Sequence, residues 1–92
     1  MFDRSKENQS NRIEARGIIV PSRWDSTGNI TTLSFLTDDE REFYIESWHV
    51  LIPDYREYDK RLVFISGMQK RQGSEIPTIT ISNLEILDSI DQ

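Results

Sequence analysis

The sequence predicts a mainly-β fold, a five-stranded Greek-key barrel with a short helix or irregular plug between strands three and four. Three observations predict it. Five runs rich in β-branched and aromatic residues follow one another, at residues 13–20, 30–37, 41–46, 62–68 and 78–87. Within the runs, apolar and polar residues alternate with the period of two that a half-buried strand requires. One internal stretch, residues 47–60, breaks the alternation, holds Pro53 and falls before the fourth run. Three strands, a connection and two strands then describe a closed or nearly closed antiparallel barrel.

In the first run Ile13, Ala15, Gly17 and Ile19 share one parity and face the core, while Glu14, Arg16 and Ile18 face outward. Gly17 suits a bulge or sharp bend in mid-strand, and Pro21, with no N–H to donate, ends regular pairing. The cluster Trp24-Asp25-Ser26-Thr27-Gly28-Asn29 predicts a hairpin turn into strand two. There Thr31, Leu33 and Phe35 alternate with Thr32, Ser34 and Leu36. After the turn Asp38-Asp39-Glu40, strand three points Phe43 and Ile45 inward and Tyr44 outward.

The connection carries Trp48, Val50, Leu51, Ile52, Tyr55 and Tyr58, too many apolar groups for a solvated loop. They are expected to plug one end of the barrel, with a short helix starting near Pro53 or Asp54. Val63 and Ile65 with Gly67, then Ile79 and Ile81, supply the core faces of strands four and five. Leu84, Ile86 and Leu87 are expected to close the core. The predicted buried set is Ile19, Leu33, Phe35, Phe43, Ile45, Val63, Ile65, Ile79 and Ile81.

The length of 92 residues gives one domain with one modest core. Residues 1–11 read as a disordered leader, 12–87 as the barrel and 88–92 as a tail. Cysteine is absent, which excludes disulfides and thiolate metal sites. No apolar stretch approaches the roughly 20 residues of a membrane span, and the polar start lacks the apolar centre of a signal peptide. A cytoplasmic protein with no membrane association is therefore expected. The formal net charge of −5 opposes non-specific binding to a polyanion, although a local basic stripe is compatible with it.

Three pieces carry a resemblance to a known family: Ala15-Arg16-Gly17-Ile18-Ile19, Leu33-Ser34-Phe35-Leu36 and Leu62-Val63-Phe64-Ile65-Ser66-Gly67. With the strand order, they resemble the OB-fold family in its nucleic-acid-binding branch, the anticodon-binding and helicase-associated domains. The likeness covers about residues 12–87, and its motifs are short and generic. It implies a non-enzymatic binding module for single-stranded DNA or RNA. Two departures stand against that implication: the chain is acidic, and Asp38, Asp39 and Glu40 sit beside the face such barrels use.

Read residue by residue, no catalytic or metal constellation appears, and neither an enzyme nor a cofactor is expected. His49, the one histidine, reads as a structural or surface residue. Asp38, Asp39, Glu40 and Glu42 lack the spacing of a calcium loop and read as a solvated turn. Arg16, Thr32, Ser34, Tyr44 and Phe64 are expected on the outer face. There Tyr44 and Phe64 suit base stacking, and Arg16, Arg23, Lys70 and Arg71 suit backbone phosphates. The alternative is a protein-interaction or oligomerisation module, in which the outer apolar residues Ile18, Leu36 and Met68 dock on a partner or a second copy.

Overall fold

Each alternating run forms a strand: β1 (Arg12–Trp24), β2 (Ile30–Thr37), β3 (Glu42–Ile45), β4 (Val63–Lys70) and β5 (Thr78–Ile86). The structure is a computed structural model and describes residues 11–71, 73 and 75–87. The expectations for a leader and a tail fall almost wholly outside these residues. The strands close into a barrel in the order β1-β2-β3-β5-β4, with β4 returning to β1. Among the described residues no helix is long and apolar enough to cross a membrane.

All neighbouring strands are antiparallel except β3 and β5, which run parallel. The expectation of a wholly antiparallel barrel is corrected at this pair, and the reason is parity. Directions that alternate around a ring match up only when the number of strands is even. The meander fixes β1 to β3, and β4 and β5 form a hairpin whose first strand lies antiparallel to β1. The odd ring is therefore left with β3 and β5 pointing the same way.

The nine residues of the predicted core are buried together, joined by Ile13, Ala15 and Ile52. Phe35 lies opposite Phe43, with ring centroids 6.4 Å apart, an arrangement that adds about 0.5–1.5 kcal/mol beyond burial. At the β1–β2 hairpin the Asp25 carboxylate accepts from the Thr27 hydroxyl and from the N–H groups of Thr27 and Asn29. Those donors, the Thr27 hydroxyl foremost, hold the Asp25 carboxyl below its usual range.

β1 serves two neighbours in turn. Its first half pairs with β4, its second with β2, and Gly17 is paired on both sides, with Val63 and Thr37. The expected bulge at Gly17 is replaced by a close approach of backbones, since a Cβ there would lie 2.0 Å from the Leu36 carbonyl oxygen. The register shifts lie instead around Arg23 and between Ser66 and Gly67. Pro21 does not end the strand, which runs on to Trp24. Beyond Gly17 the only strand beside β1 is β2, and its other edge carries just the isolated Ile19–Asp59 bridge, so Pro21 falls where the edge is open and proline is tolerated.

The shift in β5 sets Gly67 opposite Ile81 and Ser66 opposite Asn83, leaving Ser82 as the extra residue. It reverses the parity, which turns Leu84 and Ile86 to the core side; Leu84 packs against the core, while Ile86 and Leu87 remain 39% and 41% exposed. The expectation that all three close the core is corrected. Ile86 sits on the last strand rung, opposite Val63, with only the Leu87 N–H to Leu62 carbonyl bond beyond it.

The connection folds as one turn of helix, α1 (Trp48–Leu51), and a 3-10 turn at Tyr55–Glu57 capped by the Asp54 side chain. The turn after Asp54 agrees with expectation; the earlier helical turn does not follow from the sequence reading. Ile52 is fully buried, and Trp48, Tyr55 and Tyr58 pack against the core. Val50 and Leu51 do not join the plug and are 72% and 44% exposed. Positions four apart share a helix face, so turning Trp48 and Ile52 inward turns Val50 and Leu51 out. The Trp48 indole N–H donates to the Thr31 carbonyl at 3.3 Å, and Asp59 bridges to Ile19 on the open edge of β1.

Candidate ligand face

A single cross-strand rung on the outer face runs Val20, Ser34, Tyr44, Thr78 and Lys70 across all five strands. Tyr44 is half-buried at its centre. The Arg23 guanidinium lies 5.3 Å from the Tyr44 ring centroid, and one of its N–H groups points to the phenol oxygen at 3.4 Å. Such a pair contributes about 0.5–1 kcal/mol at an exposed site. Lys70 is two strands from Tyr44 on the same rung, roughly 10 Å away at the usual strand spacing. The fold thus gathers an aromatic ring and two cations from three strands.

Beside this rung a cleft of about 240 Å³ is lined by Arg41, Glu42, Phe43, Gln69, Arg71 and Pro77. Its origin is chemical. Tyr44 N–H donates to the Pro77 carbonyl at 2.9 Å, and Glu46 N–H to the Ile79 carbonyl at 3.0 Å. Continued one step back, this parallel ladder needs the N–H of residue 77 on the carbonyl of Glu42. Proline has none, so β3 and β5 separate there and the cleft opens.

Four of the six expected site residues, Arg23, Tyr44, Lys70 and Arg71, therefore lie together. Arg16 and Phe64 form a separate pair, facing each other across β1 and β4. Phe64 is six positions before Lys70 on β4, about 20 Å along the strand. Arg16 lies 3.2 Å from Asp38, and Glu85 flanks Phe64 on β5. Ser34 has outward parity yet is fully buried, which corrects its expected place on an exposed face. Its hydroxyl oxygen lies 3.0 Å from that of Ser22 and donates to Glu42 Oε2 at 3.2 Å. Ser34 thus links β1, β2 and β3 and is withdrawn from any ligand.

Arg41 was not among the expected residues. Its guanidinium lies 5.7 Å from the Phe43 ring centroid, and its Nε donates to both Asp39 oxygens at 3.0 and 3.1 Å. The signal was an arginine two positions after an aspartate and two before an inward aromatic. The acidic turn is largely compensated from within. Asp38 pairs with Arg16 and Asp39 with Arg41. The Thr37 hydroxyl, and then Arg41, hold the Asp39 carboxyl below its usual range.

His49 is exposed and meets Trp48 edge-on, ring centroids 5.7 Å apart. Among the described residues no three His, Asp or Glu side chains gather as metal ligands do. Of the outer apolar residues, Ile18 and Leu36 are direct partners on β1 and β2. Met68 lies apart, opposite Arg12, so the three do not form one patch. Comparison with protein-family models, with curated proteins and with solved structures finds no match.

Proposed function

We propose that this chain is a small, non-enzymatic binding module of the cytoplasm, of the OB-fold type, that binds single-stranded nucleic acid on the outer face around Tyr44, between Arg23 of β1 and Lys70 of β4. The observation that carries the reading is the Arg23–Tyr44 stack with Lys70 on its own rung, continued by Arg71 and Arg41 in the adjoining cleft. A base stacks on the part of Tyr44 left open beside Arg23, and the phosphates on either side meet Arg23, Lys70 and Arg71. Arg16 and Phe64 form a second stacking pair for a strand long enough to reach them. The acidic balance keeps affinity low, and the internal pairing of Asp38 and Asp39 removes much of the local repulsion.

Salt-titrated fluorescence anisotropy with short labelled DNA and RNA strands tests this reading. Tyr44→Ala weakens binding by about 1–3 kcal/mol with little base preference. Arg23→Ala and Lys70→Ala each lower the salt slope by about one. No binding to the parent protein at low salt overturns the reading.

The facing pair Ile18 and Leu36, with Val20 at the next outer position, favours a second reading: a protein-interaction module in which the β1–β2 outer face docks on a partner or a second copy. It predicts that Leu36→Asp lowers the solution mass of a self-associating protein; a parent that is monomeric and captures no partner argues against it.

A further inference from the structure

We infer that the cleft beside Tyr44 is a slot for one unpaired nucleobase, read by the main chain of Glu42. The inference rests on the single-strand reading above and adds how paired and unpaired strands are told apart. Along β3 the backbone groups alternate in direction. Arg41 turns its carbonyl to Thr37 on β2, whereas Tyr44 and Glu46 turn their N–H groups to Pro77 and Ile79. Glu42, two before Tyr44, therefore turns both its N–H and its C=O toward the cleft. Pro77 has no N–H to meet that carbonyl, and no described residue of the β4–β5 loop bonds the Glu42 N–H.

One residue thus offers an adjacent donor and acceptor, and the Watson–Crick edge of a free base presents the complementary pair. Uracil does so with its O4 and N3–H, cytosine with its N3 and amino group. In a duplex these atoms are already engaged. The walls suit a flat ring: Pro77 is apolar, Gln69 carries an amide, and the buried Phe43 closes the floor from the core side. The cleft volume of about 240 Å³ falls below the roughly 300 Å³ at which drug-sized pockets begin and fits a fragment of that flat kind. The guanidiniums of Arg41 and Arg71 stand by for the attached phosphate. The Glu42 carboxylate is held away from the base by the Ser34 hydroxyl.

Two measurements on the full chain test the slot. The first compares a uridine oligonucleotide with the same strand built from N3-methyluridine, which keeps charge and stacking but blocks the base edge. The methylated strand is expected to bind roughly threefold to tenfold more weakly. Equal binding of the two strands overturns the slot and leaves stacking on Tyr44 in place. The second uses Pro77→Ala, which supplies the missing N–H, extends the β3–β5 ladder to Glu42 and closes the cleft. This variant is expected to melt no lower than the parent and to bind both strands alike. A folded Pro77→Ala protein that still prefers the unmethylated strand overturns the slot. If the parent binds neither strand, the single-strand reading and the slot fail together; if it binds both equally and Tyr44→Ala weakens both, only the slot fails.

Discussion

Phe35→Ala is expected to lower the free energy of unfolding by about 3–5 kcal/mol. Phe35 is fully buried, stands on the middle strand of the meander, and faces Ile19 on one side and Phe43 on the other. Its removal leaves a cavity walled by two other strands that are fixed by their own pairing and collapse little. A domain of this length has about 5–14 kcal/mol of total stability, so the variant approaches the edge of folding. Urea unfolding followed by tryptophan fluorescence measures the loss. A variant with the parent's midpoint shows that the side chain is not where the strand parity places it.

Gly17→Ala is expected to be as damaging, although it adds only a methyl group. The new Cβ would fall 2.0 Å from the Leu36 carbonyl oxygen and 2.8 Å from Thr37 Cα. These are backbone atoms, and no side chain can rotate to make room. Overpacking ordinarily costs about 1–3 kcal/mol. Here relief requires β1 to leave β2 or β4, so we expect about 3 kcal/mol or more, read as a fall in melting temperature and a loss of slow-exchanging amides in both strand pairs. Gly67, where a Cβ would approach the Thr80 carbonyl oxygen to 2.2 Å, answers in the same way between β4 and β5. Parental stability in Gly17→Ala would mean that the three strands do not meet there.

Much of the fold was legible because burial in a barrel repeats with the period of the strand itself. The parity of Leu33 and Phe35, of Val63 and Ile65, and of Ile79 and Ile81 is written in the side chains and survives in the core. Departures occur where a non-local constraint overrides that local period. Ser82 is an ordinary polar residue whose role as the extra residue depends on its partner strand. Ser34 reads as outward, and only the arrival of Ser22 and Glu42 from neighbouring strands buries it. Val50 and Leu51 are apolar, but one helical turn has room to turn only Trp48 and Ile52 inward.

The candidate site was legible in part for the same reason. Tyr44 could be placed outward from the period of β3 alone, whereas Arg23 and Lys70, which read as residues of flanking loops, stand near the ends of β1 and β4. That Lys70 shares a rung with Tyr44 follows from closure through β5, which no local pattern encodes. Phe64 shares the parity of Lys70 but lies a strand's length away, because parity fixes a face and not a position along it. Arg41 was missed since it stands at the edge of an acidic turn, where charge pairing is the simpler reading. The consequence of Pro77 for Glu42 requires knowing that β3 and β5 are parallel neighbours, and only then does a missing N–H become a cleft.

The double duty of β1 also bears on how the chain reaches this state. The β1–β2 and β4–β5 hairpins are local and can form within a short stretch of chain, but the β1–β4 seam joins residues as distant as Arg12 and Met68. The loop-closure entropy of that seam is met before its contacts reward it. The β1–β4 seam, not either hairpin, is thus expected to be the last pairing completed. An isolated two-stranded hairpin is marginal at best in water, so each hairpin draws its stability from the seam that joins them.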